Sequence, residues 1–325
     1  MPPADQMPEK EGLAPPFLRS RTEERNDRTR DIDTVPTLEL LRLLNAEDAA
    51  VADAVKATLP VLAVVVELVV ERLRAGGRVH YFGAGSSGRI GVLDAAEVVP
   101  TFGTDPRVFI AHHAGGDSAV VTAVEGVEDD EDLGRLAASV LTSADVAVGL
   151  SASGRTPWVA GALRAARDLG ALAVLVSSNL TAPLGALADH CILVDTGPEA
   201  IAGSTRLKAA TAQKMVLNAL STAAMVRLGR TYSNLMIGMN GRNAKLRQRQ
   251  ITILMEASGA SEAACRAELA WCEGDLRLAL MCLLSGLTPQ QAAPALASAL
   301  GNVRAALGAI GVQSLQACDV ANEAS

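Results

Sequence analysis

Five short aliphatic runs alternate with helical stretches through the middle of the chain, and this alternation restricts the fold more than any other feature. The runs are RVHYFG (78–83), RVFIAHH (107–113), DVAVGLSA (145–152), LAVLVSS (172–178) and HCILVD (190–195). Continuous aliphatic strands separated by helices are typical of a parallel sheet that helices cover on both faces. The pattern predicts an α/β fold with a five-stranded, doubly wound parallel sheet in the flavodoxin-like order 2-1-3-4-5.

Two polar loops follow the first and third predicted strands. A sheet of this order binds ligands outside the carboxyl ends of those strands, where the strand order reverses. The loops read GAGSSGR and SASGRTP, and each runs into a helix whose N-terminal N–H groups attract anions. Their hydroxyls can donate hydrogen bonds to phosphate oxygens. The hydroxyl groups concerned are those of Ser87, Ser151, Ser153 and Thr156. We therefore predict a site for a phosphorylated small molecule.

The first loop also contains a G-x-G-x-x-G pattern, formed by Gly83, Gly85 and Gly88, which is found in dinucleotide-binding turns. A dinucleotide site needs an acidic residue at the end of the second strand to bind the ribose. Here that strand ends in HHAGG, so we expect no nicotinamide cofactor. The four histidines lack metal-ligand spacing, and G-x-S-x-G is absent, so we expect neither a metal nor a nucleophilic serine.

The composition limits the possible binding partners and indicates the cellular compartment. The chain has 325 residues, and its 49% hydrophobic content supports a large core. The 2% aromatic content and the net charge of −7 argue against binding to nucleic acid or to anionic membranes. The five cysteines form no C-x-x-C motif, which favours reduced thiols in a cytoplasmic protein. The longest apolar run, residues 61–70, is too short to span a bilayer and contains Glu67.

The organisation along the chain predicts four segments. Residues 1–20 are rich in proline and charge, which is typical of disorder. Residues 21–50 alternate charged and apolar groups, and we expect an arm that orders only against another surface. Residues 51–246 form the sheet domain, beginning with a helical region in which Pro60 either kinks one helix or opens a second. Residues 247–325 form a helical subdomain.

Two carboxylates and one polar cluster are candidates for chemistry. Glu97 lies at the expected end of the helix that follows the first loop, where a carboxylate is unfavourable. Glu128 opens an acidic run that equally suits helix capping or a solvated face. Glu199, Arg206 and Lys208 follow the fifth strand, where they suit either the rim of the site or helix capping.

Several motifs, taken in order, resemble those of N-acetylmuramic acid 6-phosphate etherases, which have the sugar isomerase (SIS) fold. They are GAGSSGRIGVLDAAEVVPTFG, AGGDSAVVTAVEGVEDD, GLSASGRTPWV, TGPEAIAGSTRLKAATAQKMVLNALST and YSNLMIGMNGRNAKL. The N-terminal RTEERN and LNAED also resemble this family, so the resemblance extends over roughly residues 21–320. Ser86 stands where the family usually has threonine, Trp158 where tyrosine is usual and Ala210 where glycine is usual; no charged group is lost.

The resemblance implies a cofactor-free lyase of peptidoglycan recycling. Such an enzyme cleaves the D-lactyl ether of N-acetylmuramic acid 6-phosphate to N-acetylglucosamine 6-phosphate and D-lactate by elimination and hydration. The two catalytic glutamates of the family correspond to Glu97 and Glu128, and a homodimer with shared sites is implied. The substrate-binding candidates are Ser86, Ser87, Arg89, Ser151, Ser153, Thr156, Glu199, Arg206 and Lys208, and Arg155 is a further candidate cation for the anionic groups.

The spacing between Ser87 and Glu97 bears on the catalytic role that the resemblance implies for Glu97. Ten residues of helix would separate Ser87 from Glu97 by about 15 Å, because each residue rises about 1.5 Å. Either the helix breaks early, the substrate lies along it, or a partner subunit supplies the glutamate, and we favour the last. Two other functions stay open: a non-catalytic sugar-phosphate-sensing regulator of the same fold, like the glucokinase regulatory protein, and an aldose–ketose isomerase.

Overall fold

A computed structural model describes residues 20–239, 241 and 244–311, and it confirms the predicted sheet. Five parallel strands lie in the order β2-β1-β3-β4-β5. They are β1 (Val79–Gly83), β2 (Phe109–His113), β3 (Val146–Leu150), β4 (Leu172–Ser177) and β5 (His190–Leu193). Gly83 is in register with His113 on one side and Leu150 on the other, so the first three strands end at the same edge of the sheet.

Helices cover both faces of the sheet, as the aliphatic strands predict. The helices of this domain are α1 (Thr37–Lys56), α2 (Leu59–Arg74), α3 (Gly85–Phe102), α4 (Gly116–Val121), α5 (Glu131–Ala137), α6 (Pro157–Asp168) and α7 (Lys208–Arg227). Successive side chains of a strand point to opposite faces. Tyr81 accordingly belongs to the core shared with α2 and α7, and Phe82 to the core shared with α6.

Residues 20–36 and α1 lie against the same chain. The first segment is irregular apart from 3-10 turns at Arg21–Glu23 and Asp27–Thr29, and α1 packs on α7. Gly203 N–H donates to the Thr22 carbonyl at 2.9 Å, which ties this segment to the loop after β5. The surface that orders the predicted arm therefore belongs to its own chain. Helix α1 continues past the predicted domain limit at residue 50, and the domain limits stay a prediction.

The two helices that precede the sheet are separate. Pro60 is the second residue of α2, where its missing N–H is not needed, so it opens a new helix instead of kinking one. Among the described residues, no single helix is long and apolar enough to cross a membrane. Helices α1 and α2 have the required length and composition only as a pair, and they are bent by 61° at their junction.

The C-terminal region has a hydrophobic core of its own. Its described residues form a small antiparallel hairpin, which the sequence did not suggest, and five helices. These are β6 (Thr231–Tyr232), β7 (Leu235–Met236), α8 (Ala244–Ser258), α9 (Glu262–Trp271), α10 (Leu276–Ser285), α11 (Pro289–Ser298) and α12 (Val303–Ala309). Helix α8 begins at Ala244, three residues before the predicted start of the helical subdomain at residue 247. Residues 1–19 of the predicted tail and residues 312–325 lie outside the described part.

Candidate functional site

The first polar loop is the junction between β1 and α3. Ser86 and Ser87 lie in the first turn of α3, directly after Ala84 at the N-cap position. A Cβ at Gly88 would lie 2.5 Å from the Gly83 carbonyl oxygen, and one at Gly83 would lie 2.7 Å from the Gly88 nitrogen. These two glycines therefore allow the strand and the helix to cross closely. Close backbone crossing thus accounts for two of the three glycines of the pattern, and the positive φ of +53° accounts for Gly85.

The second polar loop is held together by its own hydroxyl groups. Ser151 is buried, its hydroxyl lies 2.8 Å from that of Thr156, and it accepts a hydrogen bond from the Gly154 N–H at 3.0 Å. Ser153 accepts from the Arg155 N–H at 3.3 Å. Thr156 is the N-cap residue of α6. Ser151 thus organises the loop, whereas Ser153 and Thr156 lie at the surface of a cavity.

Two residues at the carboxyl end of β4 support this second loop, and neither was predicted as a site residue. Asn179 donates from Nδ2 to the Ser153 carbonyl at 2.8 Å, and Ser177 donates to the Ala152 carbonyl at 3.1 Å. Both are buried. Their position at the carboxyl end of a neighbouring parallel strand was the available signal, because such ends meet at one edge of the sheet.

A cavity of about 390 Å³ lies between the two loops. Its lining contains the predicted residues Ser86, Ser87, Arg89, Glu128, Ser153 and Thr156. It also contains residues that were not predicted, among them Glu23, His113, Glu125, Gly203 and Thr205. The structure thus brings together most of the phosphate-binding candidates and one of the two glutamates.

Glu128 lies half-buried in a 3-10 turn, Val127–Asp129, beside the cavity. Within the described part of the chain, its side chain has no hydrogen-bond partner and no salt bridge. The capping role that the acidic run suggested belongs to Asp130, which accepts from the Leu133 N–H at the start of α5. The Glu128 carboxylate is therefore available to a ligand.

Arg89 links two helices while lining the cavity. Its Nε donates to the Val120 carbonyl at 2.7 Å and its Nη2 to the Ala119 carbonyl at 2.8 Å, which ties α3 to the end of α4. Of the described residues that line the cavity, Arg89 is the single arginine or lysine, and three are glutamates. An anionic ligand is therefore attracted chiefly by hydroxyl groups and by the N-termini of α3 and α6.

Glu97 lies away from this cavity. It is exposed on α3, which continues to Phe102 with Pro100 inside it, so the expectation that Glu97 ends the helix is wrong. The helix is continuous from Gly85, which rules out an early break between Ser87 and Glu97. The separation of about 15 Å along the helix axis therefore stands.

Two of the candidates after β5 are buried structural residues. Glu199 has no exposed surface and accepts hydrogen bonds from the Lys208 and Ala209 N–H groups, both at 2.9 Å, so it caps α7. Burial raises the pKa of the Glu199 carboxyl. Lys208 is 1% exposed, and its Nζ donates to Glu47 at 2.7 Å. Glu199 therefore has the helix-capping role that the sequence left open, whereas Lys208 forms a buried ion pair with α1.

The remaining cations take different positions. Arg206 is exposed and does not line the cavity. Arg155 also lies outside the lining, and its buried Nε has no hydrogen-bond partner among the described residues. Four of the five cysteines lie in the described part, and none of these four forms a disulfide; Cys318 lies outside it.

The chain is similar in sequence to proteins of known family. The SIS domain matches residues 120–223, and the glucokinase regulatory protein N-terminal SIS domain matches residues 61–167. An N-acetylmuramic acid 6-phosphate etherase from Thermobifida fusca (strain YX) is 58% identical over 269 residues, or 83% of this chain and 88% of that protein. One from Streptomyces avermitilis is 49% identical over 281 residues, or 86% of this chain and 90% of that protein. A solved phosphoheptose isomerase from Francisella tularensis aligns with a TM-score of 0.45 and 18% identity, over 59% of this chain and 100% of that chain.

Proposed function

Because the chain belongs to the N-acetylmuramic acid 6-phosphate etherase family, we propose that it cleaves the D-lactyl ether of N-acetylmuramic acid 6-phosphate to N-acetylglucosamine 6-phosphate and D-lactate. It acts as a carbon–oxygen lyase without a cofactor, in the recycling of cell-wall sugar in the cytoplasm. The observation that carries the proposal is the cavity in which both hydroxyl loops meet the unpartnered Glu128 carboxylate.

The phosphate is bound where the two loops meet. Ser87, Ser153 and Thr156 donate from their hydroxyl groups, and the free N–H groups at the starts of α3 and α6 add to them. Ser86 and Arg89 complete this wall of the cavity.

The chemistry requires one base and one acid. In the open-chain sugar, C2 lies next to an aldehyde, so its proton is acidic, and Glu128 removes it. The C3–O bond then breaks, and Glu97 donates its proton to the departing lactate oxygen. Water adds to C3 of the unsaturated aldehyde while Glu97 takes its proton, and Glu128 returns a proton to C2. Both carboxylates end in their starting states.

The position of Glu97 supports a site shared between two subunits. In one chain it is exposed on α3 and lies outside the cavity that holds Glu128. We therefore propose a homodimer in which Glu97 of the partner subunit reaches the C3 oxygen. Arg206 and Arg155 are the proposed cations for the lactyl carboxylate, whereas Glu199 and Lys208 hold the start of α7 in place and contact no substrate.

A lactate-release assay tests the function directly. Wild-type chain is incubated with N-acetylmuramic acid 6-phosphate, and D-lactate is measured enzymatically beside the Glu97→Gln and Glu128→Gln variants. Loss of a general acid or base lowers kcat by about 10²- to 10⁴-fold. Glu71→Gln, an exposed glutamate outside the cavity, is the matched control. Binding of sugar phosphate by the wild type without lactate release would favour the regulator, and isomerised hexose phosphate would favour the isomerase.

Co-expression of two inactive chains tests the shared site. One chain carries Glu97→Ala and the other carries Ser153→Ala with Thr156→Ala, each with a different affinity tag. Random pairing gives heterodimers in which one of two sites is complete, so about a quarter of the wild-type activity returns in the mixture. Absence of any recovery in purified heterodimers would contradict the partner's contribution of Glu97.

A further inference from the structure

We propose that Glu23 is a specificity-determining residue whose carboxylate accepts hydrogen bonds from the neutral N–H or O–H groups of the sugar. This inference rests on the proposed function. Glu23 ends the 3-10 turn Arg21–Glu23, is half-buried and lines the same cavity as Ser153 and Glu128. No donor among the described residues bonds to its side chain. A carboxylate that faces a ligand cavity without a partner is free to accept hydrogen bonds from a ligand.

The backbone on both sides of Glu23 is fixed by the loop after β5. We call residues 20–36 the N-terminal strap. Before Glu23, the carbonyl of the fully buried Thr22 accepts from the Gly203 N–H at 2.9 Å. After it, the buried Thr29 hydroxyl donates to the Ala200 carbonyl at 2.8 Å. More than 170 residues of sequence separate the two partners of each hydrogen bond, so the tertiary fold places Glu23 at the cavity.

Gly203 leaves the space that the Glu23 side chain fills. Its φ is +75°, and a Cβ at this position would lie 2.8 Å from Glu23 Oε2. Any larger residue at 203 would displace the carboxylate. Gly197, in the same loop, has a similar φ of +65°, but a Cβ there would meet no heavy atom within 4 Å. The two glycines therefore form a matched pair for experiment.

The charges of the substrate determine what Glu23 contacts. The phosphate and the lactyl carboxylate are both repelled by a carboxylate, so Glu23 faces the uncharged part of the sugar. That part offers hydroxyl groups and the acetamido N–H. Hydrogen bonds to a charged group are worth more than neutral ones, and their loss weakens binding by about 10- to 100-fold.

The test uses Glu23→Gln and Glu23→Ala, with Glu24→Gln as the control because Glu24 is exposed and outside the cavity. Calorimetry gives the Kd of each full-length chain for N-acetylglucosamine 6-phosphate and for inorganic phosphate. Both Glu23 variants are expected to bind the sugar phosphate about 10- to 100-fold more weakly and inorganic phosphate as the wild type does. Glu24→Gln leaves both affinities unchanged.

The glycine pair gives an independent readout. Gly203→Ala is expected to lower the affinity for sugar phosphate as Glu23→Ala does, whereas Gly197→Ala carries the same backbone strain without the effect. In a chain that already carries Glu23→Ala, Gly203→Ala should weaken sugar-phosphate binding little further, because both changes remove the same contact.

The outcomes separate this inference from the proposed function. If the wild type releases no lactate while Glu23→Gln still loses affinity for the sugar phosphate, the lyase proposal fails and the binding role stands. If lactate is released but Glu23→Gln binds like Glu24→Gln, the inference is overturned. It is also overturned if the Glu23 variants lose affinity for inorganic phosphate together with thermal stability, because the strap would then act only through packing.

Discussion

Removing the Glu47 carboxylate is expected to destabilise the chain more than any surface change. Glu47 on α1 is 2% exposed and accepts hydrogen bonds from Lys208 Nζ at 2.7 Å and Asn26 Nδ2 at 2.8 Å. It also binds the Arg28 guanidinium through both oxygens. Glu47→Ala would leave the buried Lys208 ammonium without its counter-charge. Breaking a buried pair in this way lowers the free energy of unfolding by about 3–5 kcal/mol.

The pKa of Glu47 gives a second value for the stability that this carboxylate contributes. The hydrogen bond from Arg28 is the main cause that lowers the pKa of Glu47, to about 2, against the cost of burial. The folded pKa lies below that of an unfolded glutamate, so the stabilisation is complete above about pH 4.5 and is lost as pH falls toward 2. Each tenfold change in proton affinity is worth about 1.4 kcal/mol, which gives about 3 kcal/mol.

Urea unfolding followed by circular dichroism measures this effect. Glu39→Ala is the control, because Glu39 lies on the same helix in an exposed pair with Arg42 at 3.5 Å and should cost less than about 1 kcal/mol. Glu47→Leu combined with Lys208→Met should recover much of the loss, since a buried pair can be replaced by apolar groups. A Glu47→Ala chain as stable as the Glu39→Ala chain would refute the reasoning.

Two further predictions concern the loop glycines and the strand histidines. Gly88→Ala should destabilise the β1–α3 junction by about 1–3 kcal/mol in chemical denaturation, since its Cβ would meet the Gly83 carbonyl oxygen at 2.5 Å. Gly308→Ala in α12 should not destabilise the chain, because a Cβ there would meet no atom of the described residues within 4 Å. Burial and the neighbouring His80 lower the pKa of His112 to about 4, so the stability of the folded chain should fall as pH drops from about 6.5 toward 4. Thermal unfolding across this range should show a smaller fall in stability for His112→Gln than for the wild type. The same pH dependence in both chains would contradict this prediction.

The sheet and the phosphate loops were predictable because each depends on local signals. Aliphatic strands alternating with helices indicated a parallel sheet, for which 2-1-3-4-5 is one common strand order, and the carboxyl ends of parallel strands brought Ser87, Ser153 and Thr156 to one cavity. The family resemblance is confirmed by relatives that cover most of the chain.

Long-range contacts account for what the sequence did not show. The motif RTEERN was visible, but nothing local places Glu23 beside Gly203, since that requires the strap to pack on the loop after β5. Helix α1 was not separated from the arm because its charges and its exposed Leu38 and Leu41 resemble a surface segment. Whether Glu199 caps a helix or contacts substrate depended on burial, which a polar cluster does not reveal.

In the proposed mechanism, Glu128 and Glu97 drive elimination and hydration through C2. The most direct measurement is incubation of the chain with N-acetylmuramic acid 6-phosphate in deuterated water, with NMR detection of D-lactate and of deuterium at C2 of the sugar product. We expect lactate release accompanied by deuterium at C2, because the proposed base, Glu128, would exchange its proton with solvent before returning it. Lactate release with the original proton retained at C2, or binding with neither lactate nor exchange, would contradict the proposed mechanism.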